Sequence, residues 1–151
     1  MFTGIVQDLL EVHEIDHGAD LSRLVLKMGA LGEGLQLGAS VAVNGTCLTV
    51  TRHDADATYF DIIKETTNTT NLGQLVSSSK VNVERSFKVG DEVGGHVVSG
   101  HVSTTAELVE LHHQGNDRVL TFKVEPKWQN YIFHNGYVAL DGASLTVSSV
   151  D

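Results

Sequence analysis

The sequence predicts an all-β chain built as two small barrels in tandem. Three observations predict it: short runs of β-branched and apolar residues, fifteen glycines, and a block that recurs 97 residues along the chain. The runs are Ser40–Val43, Thr46–Thr51, Thr58–Ile63, Lys80–Val83 and Arg118–Val124, each four to seven residues long. Several alternate partly between apolar and polar residues, as half-buried strands do. Many short strands at regular spacing, joined by glycine-rich turns, indicate barrels or sandwiches.

In chain order, Asn44-Gly45 separates the first two runs. The dipeptide suits a type I′ hairpin turn, in which both central residues need φ > 0. Thr58–Ile63 and Lys80–Val83 follow as further strands. Gln114-Gly115-Asn116 reads as a loop, with His112 and His113 solvated beside it. Pro126, the only proline, suits the opening of a short helix over Lys127–Phe133, where its missing N–H costs nothing. Asp141-Gly142 then occupies the place in a second hairpin that Asn44-Gly45 holds in the first.

The recurrence is specific in one block. Gly38–Thr51 matches Asn135–Ser148, and an offset of 97 pairs Ala42 with Ala139, Gly45 with Gly142, Leu48 with Leu145, Thr49 with Thr146 and Val50 with Val147. Upstream, Thr3-Gly4-Ile5-Val6 resembles Ser99-Gly100-His101-Val102 at an offset of 96. That period is too long for a solenoid and reads as two homologous domains. Residues 1–94 form the first and residues 95–151 the second. Counterparts of the residues from about His53 onward fall beyond Asp151, so the second barrel is expected to be incomplete and the chain to be a piece of a longer one.

Composition bounds the function. Apolar residues are 41% and charged residues 19%, enough for a core, and the formal charge is −9. A chain this acidic is a poor binder of nucleic acid or an anionic membrane. No apolar run approaches the roughly 18 residues a membrane helix needs, and no basic patch precedes an apolar stretch at the N-terminus. The single cysteine, Cys47, excludes an internal disulfide and a cysteine-built zinc site. The cytoplasm is the expected compartment.

Several motifs resemble the riboflavin synthase alpha-chain family. They are Met1-Phe2-Thr3-Gly4-Ile5-Val6-Gln7, Asn44 to Thr51, Lys64-Glu65-Thr66, Thr70-Asn71-Leu72-Gly73, Val81-Asn82-Val83-Glu84-Arg85, Gly94 to Val102, and Asp141 to Val147. They span the chain in family order. The resemblance implies two similar six-stranded Greek-key barrels, each binding one 6,7-dimethyl-8-ribityllumazine. Two lumazines dismutate: one gives a four-carbon unit to the other, yielding riboflavin and 5-amino-6-ribitylamino-pyrimidinedione. No metal or redox cofactor is implied. The family's active site forms where two subunits of a homotrimer meet, and the 151-residue chain alone is expected to be inactive.

The chemistry suits the residue types. Holding two rings face to face supplies much of the rate through orientation. A base removes a proton from the acceptor's 7-methyl group, and a nucleophile attacks C7 of the donor. Backbone N–H and C=O groups on strand edges pair with ring carbonyls and nitrogens, and hydroxyls suit the ribityl chain. By motif position, Gly4, Ile5, Val6, Cys47, Leu48, Thr49 and the run Asp61, Ile62, Ile63, Lys64, Glu65, Thr66 are assigned to the first lumazine. Gly100, His101, Val102, Ser144, Leu145 and Thr146 are assigned to the second. Asn135 stands where the family often has lysine; it keeps a hydrogen bond but supplies no positive charge.

His101, Cys47 and Ser144 are the catalytic candidates. An imidazole titrates near neutrality and so serves His101 as acid or base. Cys47 is either a nucleophile or polar contact, or a small packed residue. Ser144 and Thr146, two apart on a strand, share a face, read as the inner one, where hydroxyls bind ligand or satisfy backbone. His96 lies five residues before His101, but without cysteine or spaced carboxylate ligands the pair does not read as a metal site. Lys64-Glu65 also reads as a surface charge pair, and Phe2 as an ordinary core aromatic. The rival function is a non-catalytic lumazine- or flavin-binding antenna protein of the same fold.

Overall fold

The computed structural model describes residues 1–151, the side chain of Gln114 excepted. Ten strands dominate it. β1 is Asp8–His17, β2 Leu21–Leu26, β3 Ser40–Val43, β4 Thr46–His53, β5 Thr58–Ile63 and β6 Lys80–Arg85. A short helix, α1 (Lys64–Thr69), joins β5 to β6. In the second half, β7 is Glu107–Gln114, β8 Asp117–Lys123, β9 Tyr137–Leu140 and β10 Ala143–Thr146, with helix α2 (Pro126–Gln129) between β8 and β9. Among the described residues, no helix is long and apolar enough to cross a membrane.

The first six strands close into an antiparallel barrel in the order β1-β2-β5-β4-β3-β6. Alternation along each strand builds its core. On β5, Thr58, Phe60 and Ile62 point inward; on β4, Leu48 and Val50; on β3 and β6, Val41, Val43, Val81 and Val83. Leu24, Leu26 and Val12 complete the wall, and Met28, Leu35, Leu72 and Leu75 from the connections plug it.

Both two-residue hairpins take the geometry the sequence implies. Asn44 and Gly45 have φ of 46° and 77°, and Asp141 and Gly142 have 47° and 84°. Val43 pairs with Thr46, and Leu140 with Ala143, across them. The β1–β2 ladder has a bulge between Val12 and Glu14, and the β7–β8 ladder has one between Leu108 and Glu110, 96 residues on.

The second half is a partial barrel. Its described residues form two separate hairpins, β7–β8 and β9–β10. In the first barrel, β5 stitches β2 to β4 and β6 stitches β1 to β3. Without strands in those two places, the hairpins have nothing to join them. The apolar residues show it: Leu48 is 5% exposed, whereas Leu145 is 37% and Leu111 is 48%.

Two expectations need correction, and three strands fall outside the predicted runs. The helix opening at Pro126 ends at Gln129, not Phe133. Beyond it the chain continues in tight turns, with Tyr131 N–H donating to Trp128 C=O and Ile132 N–H to Gln129 C=O. The loop after His113 is only Gly115-Asn116, because Gln114 already pairs with Asp117, so His112 and His113 stand on an exposed strand. Strands β1, β2 and β7 lie outside the apolar runs; the charged residues of β1 and β2 face solvent on a barrel wall that buries only one side, and the described residues of β7 are exposed on both faces.

The two halves touch at their hairpin turns. A Cβ on Gly45 would lie 2.7 Å from the Gly142 nitrogen, and one on Gly142 would lie 3.0 Å from the Gly45 nitrogen. Amides brace this contact. Asn71 Nδ2 donates to Asp141 Oδ1, and Asn82 Nδ2 donates to the Asp141 carbonyl, each at 2.8 Å.

Two predictions follow from this packing, both read by urea unfolding. Phe60→Ala, at a fully buried site, is expected to cost about 3–5 kcal/mol, and Leu111→Ala less than about 0.5 kcal/mol; equal costs would contradict an uneven core. Gly45→Ala is expected to cost about 1–3 kcal/mol, from strain at positive φ and from the Gly142 contact.

Candidate functional site

The motif residues converge on the seam between the halves. There the N-terminal segment meets residues 96–102 as an antiparallel pair. Phe2 N–H donates to Val98 C=O and Val98 N–H to Phe2 C=O, while His96 N–H donates to Thr3 C=O, all at 2.9 Å. Beyond this pairing each segment turns at a glycine, Gly4 at φ 72° and Gly100 at φ 80°. The turns match: Ile5 N–H donates to Thr3 Oγ1 at 3.2 Å, and His101 N–H to Ser99 Oγ at 3.1 Å.

Each segment then crosses to the other half. Ser144 N–H donates to Gly4 C=O, and Cys47 N–H donates to Gly100 C=O, both at 2.8 Å. Glycine is required at both places. A Cβ on Gly4 would lie 2.4 Å from Ser144 Cβ; one on Gly100 would lie 2.7 Å from Cys47 Cβ and 2.8 Å from the Phe2 ring. Phe2 is buried, but in this seam rather than in the barrel core.

This crossing corrects the grouping expected from motif order. Gly4, Ile5 and Val6 do not sit with Cys47; they sit with Ser144 of the other half. Gly100, His101 and Val102 sit with Cys47. The antiparallel β4–β5 register, Val50 opposite Phe60, carries Asp61, Ile62 and Ile63 alongside Cys47–Thr49. One candidate group is therefore Cys47–Thr49 with Gly100–Val102, flanked by Asp61–Ile63 on the neighbouring strand and followed there by Lys64–Thr66. The other candidate group is Gly4–Val6 with Ser144–Thr146.

Both sites lie on the outer wall. Leu48 and Val50 point into the core, so Cys47 and Thr49 point away from it. Ser144 and Thr146 hold the same face of β10, opposite Leu145. Ser144 and Thr146 hold the places of Cys47 and Thr49 in the first hairpin, so the pair belongs to the outward face rather than the inner one, and no closed core stands behind it among the described residues: Leu145 opposite is itself exposed. Leu48 and Ile62 are buried in the core, which leaves only their backbone for a ligand. Lys64 and Glu65 are exposed on the first turn of α1, and Asp61 pairs with Arg23 at 3.1 Å. Asn135, at φ 60°, donates its N–H to Val147 C=O at 2.8 Å where β10 ends. Asparagine tolerates that left-handed backbone as lysine does less readily.

The free edges are backbone. Among the described residues, no hydrogen bond is formed by the Ile5 carbonyl, by either main-chain group of Val6, by the His101 carbonyl, or by either main-chain group of Val102. Each edge runs beside a half-buried small polar side chain, Ser144 or Cys47, and offers a donor and acceptors to a planar heterocycle.

Sequence reasoning missed His96 as a site residue. Its Nδ1 lies 2.9 Å from Ser144 Oγ, and its ring stacks on Tyr137 at 4.0 Å between centroids and 14° between planes. A hydroxyl joined to an imidazole relays a proton. The signal was present in the Gly-Gly-His-Val spacing ahead of Gly100, but only the fold shows which serine the ring meets. The His101 side chain is exposed, next to the Gly100–Cys47 bond.

A cavity of about 310 Å³ opens elsewhere, lined by Met28, Glu33, His53, Asp54 and Thr58 among others, and no motif residue lines it. The Asp56 N–H holds the Asp54 carboxyl below the usual carboxylate range there.

Comparison with known proteins agrees with this geometry. The lumazine binding domain model matches residues 3–86 and 99–151. Riboflavin synthase of Escherichia coli (strain K12) is 44% identical over 152 residues, which cover 99% of this chain and 71% of that protein. A crystal structure of LumP complexed with riboflavin superposes with a TM-score of 0.89 at 26% identity, covering 100% of this chain and 82% of that one. LumP complexed with 6,7-dimethyl-8-(1'-D-ribityl) lumazine gives a TM-score of 0.86 at 25% identity, over 100% and 81%. With one lumazine-binding model matched in both halves and riboflavin synthase aligned along 99% of this chain, the chain belongs to the riboflavin synthase alpha-chain family of lumazine-binding proteins.

Proposed function

We propose that the chain is a riboflavin synthase. It dismutates two molecules of 6,7-dimethyl-8-ribityllumazine to riboflavin and 5-amino-6-ribitylamino-pyrimidinedione by transfer of a four-carbon unit. One observation carries the reading: a single chain presents two like backbone edges, Ile5–Val6 beside Ser144 and His101–Val102 beside Cys47. A reaction between two copies of one heterocycle needs two such edges. The atoms balance between two lumazines and the two products, so the transfer calls for no external oxidant or reductant.

Residues 1–94 then form one ligand-binding domain and residues 95–151 the recorded part of its duplicate. The His96–Ser144 pair supplies a proton relay at one ring, and His101 with Cys47 supplies imidazole and thiol at the other. Both edges open to solvent on outer walls, so a second ring is brought face to face by another subunit. A cytoplasmic homotrimer is the assembly we infer. Counterparts of Asp61–Thr66 fall outside residues 1–151, so the Ser144 site lacks that wall within them.

The likeness to riboflavin-bound LumP favours one alternative, an antenna protein that holds the ligand without turnover. Incubation with lumazine separates the two. In a chain with both barrels closed, riboflavin absorbance is expected to rise with two lumazines consumed per riboflavin formed. These 151 residues are expected to bind lumazine at the Cys47 site, and more weakly at the Ser144 site, with little or no turnover. Bound fluorescence with no riboflavin in the closed form would establish the antenna, and absence of binding in both would sink the proposal.

A further prediction concerns the Cys47 site. Gly100→Ala, which drives a methyl group into Cys47 and Phe2, is expected to weaken lumazine binding there at least about tenfold. Fluorescence titration measures it, and wild-type affinity would count against the Gly100 edge as the ligand's seat.

A further inference from the structure

Glu84 on β6 is a carboxylate sealed inside the protein, 3% exposed, and it takes part in no ion pair among the described residues. Three donors replace its water. Thr3 N–H and the Thr3 hydroxyl donate to Oε1 at 2.6 and 2.8 Å, and Gly4 N–H donates to Oε2 at 3.1 Å. Burying a charge is costly unless hydrogen bonds compensate it, and bonds to an ionised acceptor are the strong kind. The carboxylate therefore fixes Thr3 and Gly4 against the first barrel.

Those two residues lie outside the barrel strands. Opposite Glu84 on β3 stands Ala42, so the ladder itself makes no demand for a carboxylate at this place. The other end of the Gly4 peptide faces the second half, where its carbonyl accepts the Ser144 N–H at 2.8 Å. One side chain of the first barrel thus sets the position of the backbone edge that serves the second barrel's site.

We propose that Glu84 is a positioning residue for the Ser144 ligand site, holding Thr3–Gly4 so that the Ile5–Val6 edge stands beside Ser144. The ligand half of this proposal rests on the lumazine reading of that site. The clamp's loss is felt first at Ser144, whose N–H bonds the Gly4 carbonyl directly, and less at Cys47, whose partner Gly100 reaches the clamped segment only through the pairing of His96 and Val98 with Thr3 and Phe2.

The test is nuclear magnetic resonance on the whole chain, comparing wild type, Glu84→Gln and the milder Thr3→Val. Glutamine keeps the shape of Glu84 but turns an NH₂ group toward an N–H donor. In Glu84→Gln the Gly4 and Ser144 amides are expected to exchange with solvent at least about tenfold faster, while the Val41 and Val83 amides keep wild-type rates. Thr3→Val gives the same pattern at smaller size. On titration with 6,7-dimethyl-8-ribityllumazine, the Cys47 amide still shifts in Glu84→Gln and the Ser144 amide no longer does. Unchanged exchange at Ser144 overturns the proposal. So does acceleration that reaches Val41 and Val83 equally, since that marks a merely structural residue. A wild-type Ser144 amide that ignores lumazine overturns the ligand half alone, and the exchange rates still report the clamp.

Discussion

The two halves meet backbone to backbone, and the rest of the arrangement depends on that approach. Ser144 N–H reaches Gly4 C=O and Cys47 N–H reaches Gly100 C=O, while Gly45 and Gly142 abut at the hairpin tips. A side chain at any of these four glycines would occupy space already filled. The consequence is an exchange of segments: each half lends the stretch ahead of its first strand to the hairpin of the other. Neither half assembles a candidate site alone. The ligand edges exist only because the seam is closed, and the residues that close it are small for that reason.

Barrel closure and seam closure are separable in this fold. A barrel of this topology is two hairpins joined by two stitching strands, and only the first half has those strands among the described residues. Its core is sealed, whereas the corresponding apolar positions of the second half stand open to solvent. The seam needs only the β9–β10 hairpin and residues 96–102, and both are in place. The edge beside Ser144 is thus assembled while the barrel beneath it is open, held from across the seam by Glu84 and braced at the turn by Asn71 and Asn82. Open walls of this kind expose unpaired strand edges, which invite pairing with further strands.

Much of the first barrel was legible in the sequence because its strands bury one face and are bounded by turns of fixed chemistry. Ser40–Val43 and Thr58–Ile63 coincide with β3 and β5, and Asn44-Gly45 and Asp141-Gly142 mark the β3–β4 and β9–β10 hairpins to the residue. β1 was not legible, since Asp8–His17 carries charge along an outer wall and a bulge breaks its alternation. The site was legible as a set of motifs but not as two groups. Sequence order places Gly4 with Cys47, and nothing in a linear pattern says that the leading segments cross. His96 was hidden for the same reason: its spacing from Gly100 is visible, and its contact with Ser144 is purely tertiary.

Recognition by backbone edges on an outer wall also explains why fold alone leaves the chemistry open. Any sequence that keeps the glycines and the hairpins keeps the edges, so the same scaffold serves a carrier as readily as a catalyst. What a carrier does not need is a pair of equal edges. Storage or light absorption uses one ring at a time and places no demand on a second edge. Here the pair is matched in detail: Thr3 and Ser99 hydroxyls accept the same turn N–H, Gly4 and Gly100 share a left-handed backbone, and Ser144 and Cys47 donate across the seam at the same distance. The side chains beside the edges differ, serine with His96 on one side and cysteine near His101 on the other. Equal seats with unequal chemistry are what a dismutation requires, because its two identical substrates must take different roles, one giving carbon and the other receiving it.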